Sequence, residues 1–452
     1  MRRIKNDRSH YLFDNQTLVA LIVPLIIEQL LAVLVGMADS IMIASVGEAA
    51  VSGVSLVDNI MVLLINIFSA LATGGAVVAG QYLGQKRQEE ACKSSTQLVW
   101  FITILAAVIT AIVYLCRNLI LQGVFGAIEA DVMRHANIYL LIVGASIPFM
   151  ALYNGGAAIF RTMGNSRVPM LVSVVMNIIN ISGNAILIYG FHRGTEGVAI
   201  PTLVSRMTAA LLVIILLLDQ TRMVHLERTW KYRFDWSAVR KILVIGVPNG
   251  LENSMFQLGK IIVLSLVSSF GTYAIAANAV SNAVAMFQIL PGMALTLAVT
   301  TVIARCVGAG DYWQVHYYTK KLILITYVCN WVLNAVIFLL LPLILRAYNL
   351  SDLTAQTTEK ILLFHSVSVM LVWPVSFTLP ATFRAAGDVK ACMAVSIFSM
   401  WIFRIMFSYL LGKYLDMGVF GIWVAMVIDW LFRAFCFTVR YFSGKWKQHA
   451  IV

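Results

Sequence analysis

Carboxylates inside long apolar segments are the first side chains of this sequence that could do chemistry. There are five, namely Glu28, Asp39, Asp58, Glu252 and Asp429. A charged side chain at the centre of a bilayer costs at least about 2.5–3.5 kcal/mol, so such groups are expected to face protein or water and to have a function. Asp39 has no basic residue nearby in sequence. It follows Glu28 by eleven residues, so a helix places both carboxylates on one face, about 16 Å apart along the axis.

Neutral polar side chains in neighbouring segments could complete a site around Asp39. Asn177, Asn180 and Asn184 recur at spacings of three and four, which predicts one amide stripe on an apolar helix. The other candidates are Tyr153, Asn154, Thr202 and Ser205. A carboxylate beside amides and hydroxyls can hold a proton or a Na⁺ ion, since hard cations prefer oxygen ligands. The alternative is that these polar groups only form hydrogen bonds between helices.

The second half of the chain carries a different set of polar residues. One predicted helix has a stripe of Asn249, Glu252, Asn253, Gln257 and Lys260. Its position equivalent to Asp39 is Val263, so no acid occupies the matching place. Lys260 lies about 12 Å from Glu252 along the axis, too far for a direct pair unless Gln257 or Arg404 bridges them. We predict a substrate site or second-half polar site at Glu28, Tyr153, Glu252, Gln257, Lys260 and Arg404.

The composition indicates an integral membrane protein. Of 452 residues, 60% are hydrophobic and only 12% are charged, with a mean hydropathy of +0.85. Soluble proteins carry about 25% charged residues, so this chain has too few to cover a water-facing surface. The net charge of +12 does not predict nucleic-acid binding, because the basic residues lie in short gaps between apolar segments.

Twelve segments are apolar and long enough to cross about 30 Å of hydrocarbon. They are residues 17–44, 54–83, 96–117, 137–160, 169–190, 197–219, 241–269, 279–307, 321–347, 361–385, 391–412 and 418–441. The gaps that share a side with both termini hold 23 basic residues, and the opposite gaps hold 6. This asymmetry predicts that both termini are cytoplasmic and that the protein lies in the plasma (inner) membrane.

The two halves of the chain are related by an internal repeat. A shift of 224 positions aligns Val23-Pro24 with Val247-Pro248 and Glu28 with Glu252, and a shift of 223 aligns Phe160-Arg161 with Phe383-Arg384. We predict an all-α membrane protein with twelve transmembrane helices in two six-helix bundles related by a parallel repeat, an architecture typical of transporters. The predicted domains are an N-terminal lobe (1–219), a cytoplasmic linker (220–240) and a C-terminal lobe (241–452).

Enzyme and nucleotide motifs are absent from the sequence. There is no G-x-x-x-x-G-K-[ST] loop for ATP, no H-E-x-x-H and no G-x-S-x-G. We therefore expect no catalytic residues, no cofactor and no use of ATP. Any uphill transport must then be coupled to an ion gradient.

The sequence resembles the multidrug and toxic compound extrusion (MATE) family, closer to its DinF-like branch. The resemblance covers nearly the whole chain, through the two six-helix halves, the Pro24 to Asp39 segment, Gly84-Gln85, the run 160–165, and the stretch from Gly194 to Ser205. It implies a secondary antiporter that exports organic, often cationic, drugs in exchange for H⁺ or Na⁺. It also implies an ion-coupling site at Asp39, Asn180, Asn184 and Thr202, the candidate Na⁺ ligands, with Asn154 close by.

One departure from the family pattern favours H⁺ over Na⁺ as the coupling ion. Members of the family commonly have Asp where this chain has Asn184. Removal from water disfavours the charged form of a lone carboxylate, so Asp39 is expected to take up and release a proton. Its protonation would bias helices 1, 5 and 6 between two packings, giving alternating access. The expected partners are a small organic substrate and membrane lipids, without nucleic acid.

A flippase for lipid-linked oligosaccharides or another amphipathic precursor is the alternative function. Such a protein shares the broad architecture and requires a strongly cationic cleft. Three basic residues within predicted spans give it some support, namely Arg206, Lys260 and Arg404.

Overall fold

The computed structural model describes residues 11–124, 129–228 and 233–452, and every regular element in these ranges is helical. The basic residues counted at the extreme amino terminus, and Lys231, lie outside them. The first half contains α1 (Asn15–Ala44), α2 (Glu48–Gly84), α3 (Gln88–Leu115), α4 (Ala130–Gly144), α5 (Ile147–Thr162), α6 (Arg167–Ala185) and α7 (Glu196–Leu217). Two π-helical turns, Ile120–Val124 and Ile186–Gly190, and the short helix Arg117–Leu119 follow α3 or α6.

The second half repeats this order of helices. It contains α8 (Trp236–Ser268), α9 (Thr272–Gln288), α10 (Leu290–Gly308), α11 (Tyr312–Ala347), α12 (Asp352–Leu371), α13 (Leu379–Ala385), α14 (Val389–Ser399) and α15 (Gly418–Ser443). Short elements complete it: the π-helical turns Pro374–Thr378, Met400–Met406 and Leu410–Tyr414, the helix Phe407–Tyr409, and the 3₁₀ turn Lys445–Gln448.

Eleven of the twelve predicted spans have helices that are long and apolar enough to cross a membrane. In the described ranges these are nine single helices and two bent helix pairs. The remaining span is α8, which has 33 residues and is long enough, but its stripe of polar side chains lowers its hydropathy. The predicted span 279–307 is not one continuous helix. It is interrupted at Ile289, just before Pro291, which cannot donate a backbone hydrogen bond.

Two bends occupy equivalent places in the repeat. The axes of α4 and α5 differ by 49°, and those of α12 and the helix Pro374–Ala385 differ by 59°. Each bend lies at a proline, Pro148 in the first half and Pro374 in the second. Because proline removes a backbone donor and clashes with the preceding turn, it is a common cause of sharp kinks.

The helices form two compact units. The first unit comprises Val23–Gly250. The second unit comprises the segment ending at Ile22 together with Leu251–Val452. The division falls within α1, next to Pro24, and within α8, two residues after Pro248. The domain limits of 1–219 and 241–452 predicted from the sequence stay a prediction.

Within the unit Val23–Gly250, α2 and the beginning of α8 cross at two glycines. A Cβ atom placed on Gly74 would lie 2.6 Å from the carbonyl oxygen of Ile242 and 3.0 Å from the backbone nitrogen of Gly246. Small residues allow helix backbones to approach this closely in membranes. The crossing therefore depends on the absence of a side chain at Gly74.

The predicted linker is held against α3. Lys93 forms an ion pair of 2.9 Å with Asp235, and the Gln97 amide donates to the carbonyl oxygen of Arg233 at 2.7 Å. The hydrogen bond from Lys93 holds the pKa of Asp235 below its ordinary value. The end of the linker is therefore anchored just before α8 begins.

Candidate functional site

Asp39 and Asn184 meet in the unit Val23–Gly250. The Asn184 amide nitrogen Nδ2 donates to Asp39 Oδ1 at 2.6 Å. Asn184 is fully buried, while Asp39 is half-buried. A carboxylate that accepts from a buried amide and is itself only half-buried can exchange a proton without leaving its partner. The sequence predicted this pair of residues, although 145 positions separate them in the chain.

A line of hydrogen bonds continues from Asn184 to α7. Asn184 Nδ2 also donates to Asn180 Oδ1 at 3.4 Å, and Asn180 Nδ2 donates to Thr202 Oγ1 at 3.1 Å. The Thr202 hydroxyl in turn donates to the carbonyl oxygen of Val198 at 2.8 Å. Four of the predicted ion-coupling residues are thus connected. Asn184 Oδ1 is buried without a hydrogen-bond partner in the described residues, so it is the one amide oxygen of this line open to a proton or cation.

A second carboxylate, that of Asp58, belongs to the surroundings of Asp39. The two acids interact electrostatically, and Arg206 interacts with both. Asp58 accepts a hydrogen bond of 3.0 Å from the Tyr139 hydroxyl, while Arg206 donates to the Ser146 hydroxyl at 2.8 Å. The sequence suggested only neutral partners for Asp39 and left the role of Asp58 open between helix packing and function. The interaction of Asp39 with an acid on the next helix could not be found from the spacing of residues along α1.

Glu28 and Tyr153 lie in a separate ion-pair cluster of the same unit. Arg161 Nη2 contacts Glu28 Oε1 at 2.6 Å, and the Tyr153 hydroxyl donates to the same oxygen at 3.3 Å. Glu28 is only 6% exposed. Its carboxylate is therefore already neutralised, and no hydrogen bond in the described ranges connects it to Asp39.

Glu252 has the same arrangement in the second unit. Arg384 Nη2 contacts Glu252 Oε1 at 2.7 Å, and Glu252 is 7% exposed. The repeat explains both pairs, since Glu28 aligns with Glu252 and Arg161 aligns with Arg384. The two alignments indicate that both halves share the same pairing, but the contact itself is shown only by the structure.

Two other predicted site residues are not connected to these clusters. Asn154 and Gln257 are both half-buried. Within the described ranges no hydrogen bond joins Asn154 to the Asp39 line, and none joins Gln257 to Glu252 or Lys260. The bridge considered between Glu252 and Lys260 is therefore not formed.

Lys260 and Arg404 instead meet around an aromatic ring of the second unit. The Lys260 ammonium lies 4.9 Å from the centroid of Phe256, and the Arg404 guanidinium lies 5.1 Å from it. Arg404 is also 3.9 Å from Asp429, which pairs with Arg433 at 2.9 Å. The polar residues of this unit thus form a basic cluster, in contrast to the acidic pair of the first unit.

The two sequence halves match one family model in turn. The MatE model matches residues 24–186 and again residues 248–410, which together make up more than half of the chain. The chain belongs to the MatE family. The resemblance to MATE proteins and the predicted two-lobed, twelve-helix fold are thereby confirmed. The MatE chain is a multi-pass integral membrane transporter.

Similar proteins cover the MatE chain almost from end to end. "Probable multidrug resistance protein NorM" of Thermotoga maritima is 24% identical over 96% of this chain and 94% of its own. "Probable multidrug resistance protein YoeA" of Bacillus subtilis is 26% identical over 90% of this chain and 88% of its own length. A solved outward-facing multidrug resistance MATE transporter shares the fold with a TM-score of 0.88 at 20% identity, covering 95% of this chain and 94% of that one.

Another solved structure with the same fold is described as having a different function. It is a transporter of the MOP superfamily from Pyrococcus furiosus, with a TM-score of 0.87, 20% identity and 95% of each chain covered. That different function is suggested by the reverse polarity of its binding pocket. Transporters of the MatE family are ion-coupled and as a class are not enzymes. The family match does not favour the flippase alternative.

Proposed function

We propose that this transporter is a proton-coupled antiporter that exports small organic cations by alternating access. The observation that carries the proposal is the hydrogen bond of 2.6 Å from Asn184 to Asp39. It supports a carboxylate that can be charged in one state and protonated in another, because an amide donor stabilises the charged form more than the protonated form. The relatives are named as probable multidrug resistance proteins, and this supports drugs or toxic metabolites as the substrate class.

The orientation of the amides supports H⁺ rather than Na⁺ as the coupling ion. Asn184 uses both hydrogens of its Nδ2 group, toward Asp39 and Asn180, and Asn180 donates to Thr202. A Na⁺ ion needs several oxygen ligands directed at one point. Here the Asn180 oxygen and the Thr202 hydroxyl are already engaged, which leaves Asp39 and the Asn184 oxygen. A proton needs only one acceptor.

The proposed location is the plasma membrane with both termini in the cytoplasm. The support is the excess of basic residues, 23 against 6, in the gaps that share a side with the termini. Export then requires that protons enter from outside through the site at Asp39 as the substrate leaves.

Transport by the reconstituted protein tests the coupling. Proteoliposomes with a fluorescent organic cation are given a ΔpH or a ΔNa⁺ separately, and efflux against the substrate gradient is followed. We expect ΔpH to drive uphill efflux by the wild type and by Asp219→Asn, a control acid just after α7 whose side chain is 44% exposed. We expect Asp39→Asn to lose uphill efflux completely. Uphill efflux by Asp39→Asn, or efflux driven only by ΔNa⁺ in the wild type, contradicts proton coupling at Asp39.

A further inference from the structure

A cavity of about 310 Å³ lies within the second unit, and two basic side chains open into it. Lys260 and Arg404 line it together with Asn278, Asn282 and Trp423. The remaining walls are aliphatic or methionine side chains from α8, α9 and α15. The cavity therefore combines concentrated positive charge with an apolar body, and none of its lining residues belongs to the Asp39 line.

The positive charge of this cluster is not balanced by the carboxylates around it. Glu252 is neutralised by Arg384, and Asp429 is shared between Arg433 at 2.9 Å and Arg404 at 3.9 Å. Lys260 forms no ion pair in the described ranges. Four basic side chains thus face two carboxylates. Unpaired charge inside a membrane protein is costly and marks a functional site by default.

The Lys260 ammonium is not directed toward the nearer end of α8. Lys260 lies eight residues before the end of α8 at Ser268, about 12 Å along the axis. A lysine near a helix end ordinarily extends toward that end, where water solvates the ammonium. Here the ammonium lies over Phe256, one turn toward the middle of the helix. It is therefore directed toward Arg404 and the cavity that both side chains line, although Lys260 as a whole remains exposed and so accessible to a ligand.

The amide of Asn278 also presents hydrogen-bond donors to a ligand. Trp423 Nε1 donates to Asn278 Oδ1 at 3.1 Å. Because an indole N–H can only donate, this bond fixes the oxygen of the Asn278 amide on Trp423 and leaves the Nδ2 group as a donor on the other side. Ammonium, guanidinium and amide donors in one cavity are suited to an anion.

We propose that this cavity binds an amphipathic organic anion. A sulfonate, carboxylate or phosphate head group is held by Lys260 and Arg404, with Asn278 as a further donor, and an aromatic or aliphatic body packs against Trp423. This site adds a second class of ligand to a transporter whose first unit carries an acidic pair. It does not depend on which ion is exchanged at Asp39.

Binding of two isosteric probes to the purified full-length protein tests the charge requirement. The probes are 2-naphthalenesulfonate and its neutral analogue 2-naphthalenesulfonamide, measured by titration calorimetry in an uncharged detergent. Since hydrogen bonds to an ionised group are stronger than those to a neutral one, we expect the wild type to bind the sulfonate at least about tenfold more tightly. Equal affinity for the two probes in the wild type overturns the proposal.

Lysine variants distinguish the cavity from non-specific attraction. Lys260→Met should abolish the preference for the sulfonate, while Lys260→Arg should keep it and so exclude misfolding as the cause. Lys360→Met is the matched control, because Lys360 also lies over a ring, that of Phe420 at 4.3 Å, but does not line the cavity. A preference that survives in Lys260→Met, or disappears equally in Lys360→Met, overturns the proposal.

The anion could be a soluble metabolite or the head group of a membrane lipid, and lipid composition separates these sources. The titration is repeated in nanodiscs of phosphatidylcholine with and without phosphatidylglycerol. Weaker sulfonate binding in the presence of phosphatidylglycerol supports a lipid phosphodiester as occupant, and unchanged binding supports a soluble anion. No ion gradient is present, so a negative result here leaves the antiport proposal intact, and loss of coupling in Asp39→Asn leaves this one intact.

Discussion

Asn184 decides how the carboxylate of Asp39 is held. Its amide donates to both Asp39 and Asn180, so the charged acid is stabilised by donors without a second carboxylate on α6. An aspartate at position 184 would replace those donors with acceptor oxygens. In the proposed mechanism the preference for H⁺ over Na⁺ therefore depends on one position, where an amide nitrogen takes the place of a carboxylate oxygen.

The variant Asn184→Asp should gain Na⁺ dependence. Two carboxylates can share a Na⁺ ion, and we expect its apparent affinity to rise about tenfold, or about 1.4 kcal/mol. Efflux at fixed pH under a range of Na⁺ concentrations measures this. Asn177→Asp is the control, since it adds the same charge to the same buried stripe without contacting Asp39. Unchanged ion dependence in Asn184→Asp would remove Asn184 from the coupling site.

The equivalent pairs Glu28–Arg161 and Glu252–Arg384 should be equally important for stability. Both are buried, and removal of one partner from a buried pair costs about 3–5 kcal/mol because it leaves an uncompensated charge. We expect Glu28→Gln and Glu252→Gln to lower the thermal unfolding temperature by similar amounts. The double variant Glu28→Gln, Arg161→Met should recover much of the loss. A single variant as stable as the wild type would show that its pair is not a structural one.

The helices of the first unit pack so closely that adding a single methyl group between them should lower the stability of the protein. Gly74→Ala would bring a Cβ atom to 2.6 Å from the Ile242 carbonyl oxygen, and such overpacking costs about 1–3 kcal/mol. Gly36→Ala is the matched control, because no atom lies within 4 Å of a Cβ atom there, and alanine favours a helix by about 0.5–1 kcal/mol. Gly74→Ala should therefore lower the thermal unfolding temperature, and Gly36→Ala should raise it. A Gly74→Ala protein as stable as Gly36→Ala would mean that α2 and α8 do not cross at this point.

The proposed orientation of the transporter in the membrane predicts which loops between helices are accessible from outside the cell. In a variant without the native cysteines, Ser351→Cys, just before α12, should react with a membrane-impermeant maleimide in intact cells. Gln220→Cys, in the linker, should react only after the membrane is permeabilised. Both positions are exposed, so a difference reports the side of the membrane. The reverse pattern would place the termini outside and would reverse the direction of proposed export.

Predictions from the sequence were strongest where a pattern is local. The all-α membrane class and the amide stripe follow from hydropathy and from spacing along a single helix, and the repeat follows from comparing the two halves of the sequence. The interruption at Ile289 was missed because a proline near a helix start is also compatible with an apolar span. The substrate-site assignments of Glu28, Tyr153 and Glu252 were made without knowing that arginines neutralise both acids.

The sequence by itself determined that this chain is a two-half helical membrane protein with acids and bases inside its spans, because apolar length and periodicity are properties of neighbouring residues. Only the tertiary structure decided which of those charges are neutralised. Arg161 lies 133 positions from Glu28, and Asn184 lies 145 positions from Asp39. Partners at such separations are brought together by helix packing. For the same reason, only the tertiary structure shows that Lys260 of α8 and Arg404 of the π-helical turn after α14 lie over one ring, that of Phe256.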